Sequence, residues 1–277
     1  GVDFVWEKYS QVVVRDFVSG AMENTTAVSH ADMAYQTKGD LVDANIWEPV
    51  IAHELFHHWF GDLVTTENWS NISLNESFAN YSEYLWFLNE YGYDKAEDHR
   101  IKSIEAYKNG NNQMKDLVRF DYDNKEDVFD LVSYNKGGAV LHMLKNYIGE
   151  DAFYAGLQLY IKENMYSSTE VPELRMVFEK VSGKDLNWFF DQWYYGAGHP
   201  EVRVTHDYNV LEKTITVTLR QLGREFYFPV TIDVYESGAK NRIELFVDSK
   251  EKSITFSYDK YPDWIHVDAN HVLLADF

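Results

Sequence analysis

The sequence divides at the segment GAGHP, residues 196–200, where two glycines and a proline interrupt the chain. From Glu48 to Tyr195, the apolar residues recur at helical spacing. After the segment, short runs alternate apolar and polar residues, which is the period of a half-buried strand. These runs are EVRVTH, TITVTLRQ, FYFPVTIDVYE, RIELFV, SITFSY and WIHVDA. The sequence therefore predicts an α+β protein, in which a mainly helical domain over residues 1–197 precedes a small β-sandwich over residues 198–277.

The charge and the residue types of the chain exclude several function classes. A formal net charge of −20 repels nucleic acid and anionic lipid and favours cationic or neutral ligands, although acidic residues also simply keep a surface soluble. No run of 18 uninterrupted apolar residues occurs, so we expect no membrane-spanning segment. The sequence contains no cysteine, which excludes disulfides and a cysteine nucleophile. Any metal ion must therefore be held by His, Asp and Glu.

The strongest chemical signal is the pattern H-E-x-x-H, formed by His53, Glu54 and His57. Pro49 near the start of this segment and Gly61 just past its end are typical helix start and stop signals. In a helix, residues four apart share a face, so both imidazoles point the same way and are placed to bind one Zn²⁺. Glu54 lies beside them, where it is placed to polarise a metal-bound water. The alternative is that the pattern occurs by chance. A chance match, however, would not need to lie between helix start and stop signals, as this one does.

A catalytic zinc needs a third protein ligand, and the run SLNESFANYSEYLWFLNEY offers one. This run predicts a second helix that ends before Gly92, with Glu76 in its first turn. We interpret Glu76 as the third ligand; the alternative is a capping box in which Ser73 and Glu76 cap their own helix. Glu83, two turns further along the same face, is either a partner of a metal-bound histidine or a surface or structural carboxylate. His58 points off the metal-binding face, as a packing or surface histidine would.

A second motif, GAMEN at residues 20–24, places one carboxylate between small residues and an amide. Together, G-A-M-E-N, H-E-x-x-H and a glutamate after 18 intervening residues resemble the M1 family of zinc aminopeptidases. The segment LVSYNKGGAVLHML is similar to the family segment that carries a catalytic tyrosine, and VSGKDLNWFFDQWYYGAGHPEV is similar to the family's exit into a β-sandwich. The resemblance implies a thermolysin-like catalytic domain. Two domains of the family, an N-terminal β domain and a helical C-terminal domain, are missing, so we expect a fragment of a longer chain.

The resemblance implies catalytic and metal-binding roles for several residues. His53, His57 and Glu76 would hold one zinc ion per chain, and Glu54 would be the general base. Tyr134, in S-Y-N-K-G, corresponds to the tyrosine whose hydroxyl stabilises the oxyanion formed when the zinc-bound water attacks the scissile carbonyl.

The resemblance also implies substrate-binding roles. Glu23 would bind the free α-ammonium of the peptide, one residue from the scissile bond. Gly20 and Ala21 would let an extended substrate backbone lie alongside them, in the manner of strand addition. Phe129, five residues before Tyr134, corresponds to an aromatic residue that lines the pocket for the first side chain, with a plain core role as the alternative.

The sequence thus predicts a zinc-dependent aminopeptidase that releases N-terminal amino acids from peptides with a free N-terminus. One alternative is an M1-type epoxide hydrolase, although such members normally use a helical domain to accept a lipid tail. The other is a peptide-binding, poorly active fragment, because a missing N-terminal domain would complete the substrate cleft. The first residues carry neither an initiator Met nor a signal-peptide pattern, so the sequence assigns no compartment.

Overall fold

The computed structural model describes residues 1–112 and 114–277. Its α-helices are α1 Asp40–Asp43, α2 Glu48–Phe56, α3 Ser73–Tyr91, α4 Tyr93–Asn109, α5 Gly137–Ile148, α6 Glu150–Asn164, α7 Val171–Ser182 and α8 Asn187–Trp193. A π-helical turn, Val132–Lys136, runs directly into α5. The helices therefore fill the central part of the chain, as the apolar spacing predicted.

Strands lie on both sides of the helical region. They are β1 Gln11–Val14, β2 Ala21–Met22, β3 Val28–Ala31, β4 Val64–Thr66, β5 Ser167–Thr169, β6 Val202–Asn209, β7 Thr214–Gln221, β8 Phe228–Glu236, β9 Ala239–Val247, β10 Glu251–Ser257 and β11 Trp264–Val267. The first three form a sheet in the order β1-β3-β2, with β1 parallel and β2 antiparallel to β3. Strand β2, which carries part of GAMEN, is therefore at the edge of its sheet.

The last six strands form two antiparallel sheets, in the orders β10-β7-β6 and β11-β8-β9. Residues alternate along β7, where Ile215, Val217 and Leu219 are buried and the residues between them are partly exposed. These side chains join the same apolar core as the helices. Each of the six alternating runs of the sequence forms one strand, which confirms the predicted α+β class. The domain boundary at residue 198 stays a prediction.

Helix α3 is the element on which the candidate site is built. It packs against α2, α4, α5 and the π-helical turn. The ring of Phe78 in α3 stacks on Phe60, just past α2, with 4.3 Å between ring centroids. Phe60 stacks in turn on Phe56 at 5.1 Å. Apolar burial and ring stacking thus fix the end of α2 against the start of α3.

Among the residues that the structure describes, no helix combines the length and the apolar character that crossing a membrane requires.

Gly137 allows α5 to approach α3 closely. A β-carbon at this position would overlap Ser77 Oγ and lie 2.5 Å from Ser77 Cβ. The hydroxyl of Ser77 also donates to the carbonyl oxygen of Ser133 at 2.7 Å, so it cannot move without losing that bond. We expect Gly137→Ala to lower the free energy of unfolding by about 1–3 kcal/mol, because the site is overpacked, as measured by urea denaturation.

The matched control is Gly223→Ala, because a β-carbon at Gly223 would meet nothing within 4 Å. Equal stability of the two variants would contradict the packing argument.

Candidate active site

The two histidines of H-E-x-x-H lie at the C-terminal end of α2. The helix ends at Phe56, earlier than the predicted end just before Gly61, because the backbone bonds from His58 and Trp59 reach back only three residues. The N–H of His57 still donates to the carbonyl oxygen of His53 at 3.2 Å. Both rings are therefore on one face, with their centroids 4.9 Å apart.

One nitrogen of each ring has a fixed partner outside the site. His53 Nδ1 lies 2.9 Å from Glu83 Oε1, and His57 Nδ1 lies 2.9 Å from the carbonyl oxygen of Phe60. Both partners only accept, so each Nδ1 carries a hydrogen. Gly61, with φ of 137°, leaves room for this arrangement, since a β-carbon there would lie 3.0 Å from His57 Nδ1.

The Nε2 atoms of both rings face one oxygen of Glu76. The distances from Glu76 Oε2 to His53 Nε2 and to His57 Nε2 are both 3.3 Å. Glu76 lies in the first turn of α3, as predicted, and among the described residues no side-chain hydrogen bond caps the start of that helix. Ser73 Oγ has no hydrogen-bond partner among the described residues. The capping box is therefore not formed, and Glu76 is turned toward the histidines.

The electrostatics of this cluster suit a cation. Burial opposes a charge on either ring, but the carboxylates outweigh it: the pKa of His53 rises to about 10 beside Glu76 and Glu83, and the pKa of His57 rises to about 9 beside Glu76. Burial also acts against the charged form of Glu76, yet the two imidazoles hold its carboxyl pKa well below the usual range. Ligand atoms of His53, His57 and Glu76 all lie within 4.8 Å of one another. Two imidazoles and a carboxylate, oriented in this way, fit a zinc ion.

Glu83 and His99 extend the cluster away from the cleft. Glu83 Oε1 accepts from His53, and its other oxygen lies 3.0 Å from His99 Nε2 on α4. Glu83 is thus the partner of a candidate metal-binding histidine, which was one of the two roles left open by the sequence. Such partners fix the tautomer and the orientation of a ligating ring.

Glu54 lies beside the three candidate ligands with an unused acceptor. It is buried, and its Oε2 has no hydrogen-bond partner among the residues described. Burial raises the pKa of Glu54 to about 7, although His57 and His53 act in the opposite direction. A carboxyl group with a pKa near neutrality is suited to accept and return a proton.

Tyr134 is brought to the site by the π-helical turn. Its ring stacks on His53 with 5.8 Å between centroids and an angle of 15° between planes. Burial, together with the charge of Glu76, raises the pKa of the phenol far above its usual value, so the hydroxyl remains a donor. Single π-helical turns of this kind occur frequently at functional sites.

Asp130 anchors the start of this turn. Its carboxylate accepts from Arg119 at 2.7 and 3.1 Å, from Lys115 at 2.7 Å and from the N–H groups of Val132 and Ser133. Nothing in the sequence singles out this network, because its members are brought together by loops that have no periodic pattern.

A cleft of about 900 Å³ lies in front of the site. Glu76 and Tyr134 line it, together with Ala21 and Glu23 of the GAMEN segment. Phe129 also faces this cleft, and its ring lies 5.9 Å from that of Trp69. Three of the predicted substrate-binding residues, Ala21, Glu23 and Phe129, thus line the same cavity as one candidate metal ligand, Glu76. The described lining does not include Gly20, the fourth predicted substrate-binding residue.

The GAMEN carboxylate lies close to the histidines. Glu23 Oε1 is 3.9 Å from His57 Nδ1, and its side chain is 18% exposed. Gly20 accepts a backbone hydrogen bond from Ala31 at 2.8 Å, and Ala21 lies opposite His30 in the sheet. The motif is therefore held by β3 while Glu23 remains open to the cleft.

The fold is shared with a known peptidase structure. The crystal structure of Legionella pneumophila aminopeptidase A in complex with aspartic acid superposes with a TM-score of 0.81 over 99% of this chain and 32% of that one, at 21% sequence identity. A sequence model of the peptidase family M1 domain matches residues 1–193. The chain belongs to peptidase family M1.

Curated relatives share the same region. The chain is 33% identical to tricorn protease-interacting factor F2 of Thermoplasma volcanium over 77% of its length, and 34% identical to aminopeptidase N of Streptomyces lividans over 74%. It is 30% identical to aminopeptidase 2 of Candida albicans over 90% of its length. The matches cover 28%, 25% and 27% of those three proteins, so the chain spans only a part of their length.

We expect the chain to bind one zinc ion, measured by elemental analysis after zinc addition and desalting. Glu76→Ala should lose the ion, because it removes the carboxylate that faces both Nε2 atoms. Glu83→Ala should weaken zinc binding by about 10- to 100-fold, because His53 loses the partner that orients it.

Glu90→Ala is the matched control, since Glu90 lies on the same helix and is exposed. Full zinc retention by Glu76→Ala, or stoichiometry well below one in the unaltered chain, would rule out this ligand set.

Proposed function

We propose that this chain carries the catalytic site of a zinc-dependent aminopeptidase, which releases N-terminal amino acids from peptides. The observation that carries the proposal is the position of Glu23 beside the cluster of His53, His57 and Glu76. Its carboxylate lines one cleft with Glu76, and its Oε1 lies 3.9 Å from His57 Nδ1. The carboxylate of Glu23 is suited to bind an ammonium ion, and the cluster of His53, His57 and Glu76 is suited to bind a metal ion. The names of the relatives, among them aminopeptidase N and aminopeptidase 2, support the same activity.

A bound zinc ion would supply Lewis acidity, both to the scissile carbonyl and to a water molecule. Glu54 takes a proton from the attacking water as the new C–O bond forms. It returns that proton to the amide nitrogen as the C–N bond breaks, so the products are an amino acid and a peptide with a new free amine. The unpartnered Oε2 of Glu54 leaves an acceptor free for this transfer.

Tyr134 stabilises the negative charge that develops on the carbonyl oxygen. Its hydroxyl stays protonated, because burial and the nearby carboxylate of Glu76 both raise its pKa. A positioned neutral donor in a site with little water is effective for this purpose. The stacking of Tyr134 on His53 places the donor next to the candidate metal ligands.

The GAMEN segment selects the N-terminus of the peptide. Strand β2 is at the edge of its sheet and Ala21 lines the cleft, so an extended substrate can lie alongside Gly20 and Ala21, as in strand addition. Glu23 then accepts from the α-ammonium group. Phe129 contacts the first side chain from across the cleft.

Turnover of a panel of aminoacyl-coumarin substrates, with and without a zinc chelator, tests the proposal. Chelator-sensitive release of the fluorophore is the expected result. A zinc-loaded, folded chain that binds peptides but releases nothing would favour a peptide-binding fragment instead.

We expect Glu54→Gln to lower kcat by about 10²- to 10⁴-fold while zinc content is unchanged, because the amide keeps the shape of the side chain but cannot take a proton. Tyr134→Phe should have a similar effect, because only the oxyanion donor is lost. Both are measured as steady-state turnover, with zinc content determined on the same samples. A loss of less than tenfold in either variant would remove the role assigned to that residue.

Glu23→Ala should reduce kcat/KM on free-amine substrates by about one to two orders of magnitude, since a hydrogen bond to a charged group contributes about 1.5–3 kcal/mol. An α-amine has a pKa near 8 and is largely charged at neutral pH, whereas an N-acetylated substrate offers no ammonium. The unaltered chain should barely cleave the acetylated substrate, and the substitution should change that rate little.

Glu126→Ala is the matched control, because Glu126 is an exposed carboxylate of the same cleft. Equal losses on free and acetylated substrates, or equal effects of the two substitutions, would exclude Glu23 from amine binding.

A further inference from the structure

His58 follows a candidate metal ligand directly but belongs to a different contact network. Its side chain is completely buried, which shows that it is a packing histidine and not a surface one. It lies where three parts of the chain meet: the end of α2, the N-terminal segment and the turn that follows Glu23.

Both nitrogens of the His58 ring are hydrogen-bonded to backbone groups. The N–H of Thr26 donates to His58 Nε2 at 3.3 Å. Because a backbone N–H only donates, Nε2 is an acceptor and the ring hydrogen lies on Nδ1. Nδ1 then donates to the carbonyl oxygen of Glu54 at 3.2 Å. One side chain therefore joins the GAMEN turn to the helix that carries Glu54.

The turn held by His58 is strained. It runs from Asn24 to Ala27 and is closed by a hydrogen bond of 2.8 Å from the N–H of Ala27 to the carbonyl oxygen of Asn24. Its third residue, Thr26, has φ of 67°, which is unfavourable for a β-branched side chain. Such a conformation persists only where neighbouring groups enforce it, and here Thr26 bonds to His58 through its N–H and to Ser10 through its carbonyl oxygen.

Aromatic side chains of the N-terminal segment prevent the His58 ring from turning. Phe4 stacks on it at 5.4 Å, and Tyr9 meets it edge-on at 5.3 Å. The indole nitrogen of Trp6 donates to the carbonyl oxygen of His58 at 3.0 Å. The position of both ring nitrogens is therefore fixed by the packing of Phe4 and Tyr9 against the ring and by the hydrogen bonds to Thr26 and Glu54.

We propose that His58 is a positioning residue that sets the distance between Glu23 and the candidate metal site. This inference rests on the proposed aminopeptidase function. Glu23 lies directly before the strained turn. The hydrogen bonds of His58 connect that turn to the end of α2, which carries His53, Glu54 and His57. A charge-assisted hydrogen bond depends on placement within about half an ångström, so release of the turn would cost the ammonium contact and leave the metal ligands in place.

The test compares two amide variants, His58→Gln and His58→Asn. The amide of Gln reaches the position of Nε2 and can accept from Thr26, whereas the shorter Asn reaches only the position of Nδ1. Both variants lose the ring contacts with Phe4 and Tyr9, so general destabilisation affects both, and thermal unfolding is recorded for each. A further control is His142→Gln, at a buried histidine in α5.

The readout is the affinity of the zinc-loaded chain for leucine hydroxamate and for isocaproyl hydroxamate, measured by titration calorimetry. The two compounds share the metal-binding group, and only the first carries an α-ammonium. We expect the unaltered chain to prefer the amine by about one to two orders of magnitude. His58→Gln and His142→Gln should retain this preference. His58→Asn should reduce it to within about threefold of unity without changing the affinity for isocaproyl hydroxamate, and should have no further effect on the preference when added to Glu23→Ala.

The outcomes separate this inference from the proposed function. If the unaltered chain shows no preference for the amine, the assignment of Glu23 fails and the inference fails with it. If the preference depends on Glu23 but is equal in His58→Asn and His58→Gln, whether both keep it or both lose it, the proposed function stands and the role of His58 is overturned.

Discussion

Two imidazole nitrogens and one carboxylate oxygen meet at the buried interface between α2 and α3. His53 and His57 present Nε2 to the same oxygen of Glu76, while their Nδ1 atoms are bound elsewhere. Burial opposes a charge on either ring, yet the histidine pKa values rise, so the carboxylates at this interface stabilise positive charge. The rest of the fold maintains this arrangement: stacked phenylalanines hold the helix ends together, and Glu83 holds the first ring.

Two carboxylates that line one cleft, Glu76 and Glu23, have different environments. Glu76 is buried against two imidazoles, whereas Glu23 remains open to the cleft from an edge strand. We propose that the first carboxylate binds the metal ion and the second binds the substrate ammonium. The distance between them then decides where the peptide is cut. That distance depends on a strained turn and on the histidine that holds it, which are outside the metal-binding motif.

The sequence predicted the features that depend on the local spacing of apolar residues. It did not predict the contacts between residues that are distant in the chain. The common face of His53 and His57 and the place of Glu76 in a first turn could be predicted, because helical geometry determines which residues share a face. The six strands could be predicted from the alternation of apolar and polar residues. The end of α2 at Phe56 could not be predicted in the same way, because no glycine or proline marks it and Phe60 beyond it packs on Phe56 and Phe78. Nothing local marks the contact between His99 and Glu83 or the contact between Thr26 and His58, because each depends on tertiary packing. Tyr134 was singled out among 20 tyrosines by family resemblance alone.

X-ray absorption at the zinc edge of the zinc-loaded chain tests whether His53, His57 and Glu76 hold the metal ion, because it reports the atoms bound to the metal without requiring turnover. We expect about four nitrogen and oxygen atoms at roughly 2.0–2.2 Å from the zinc, with scattering from two imidazole rings at longer distance. A shell of oxygen atoms without imidazole scattering, or one that fits only a single ring, would contradict it.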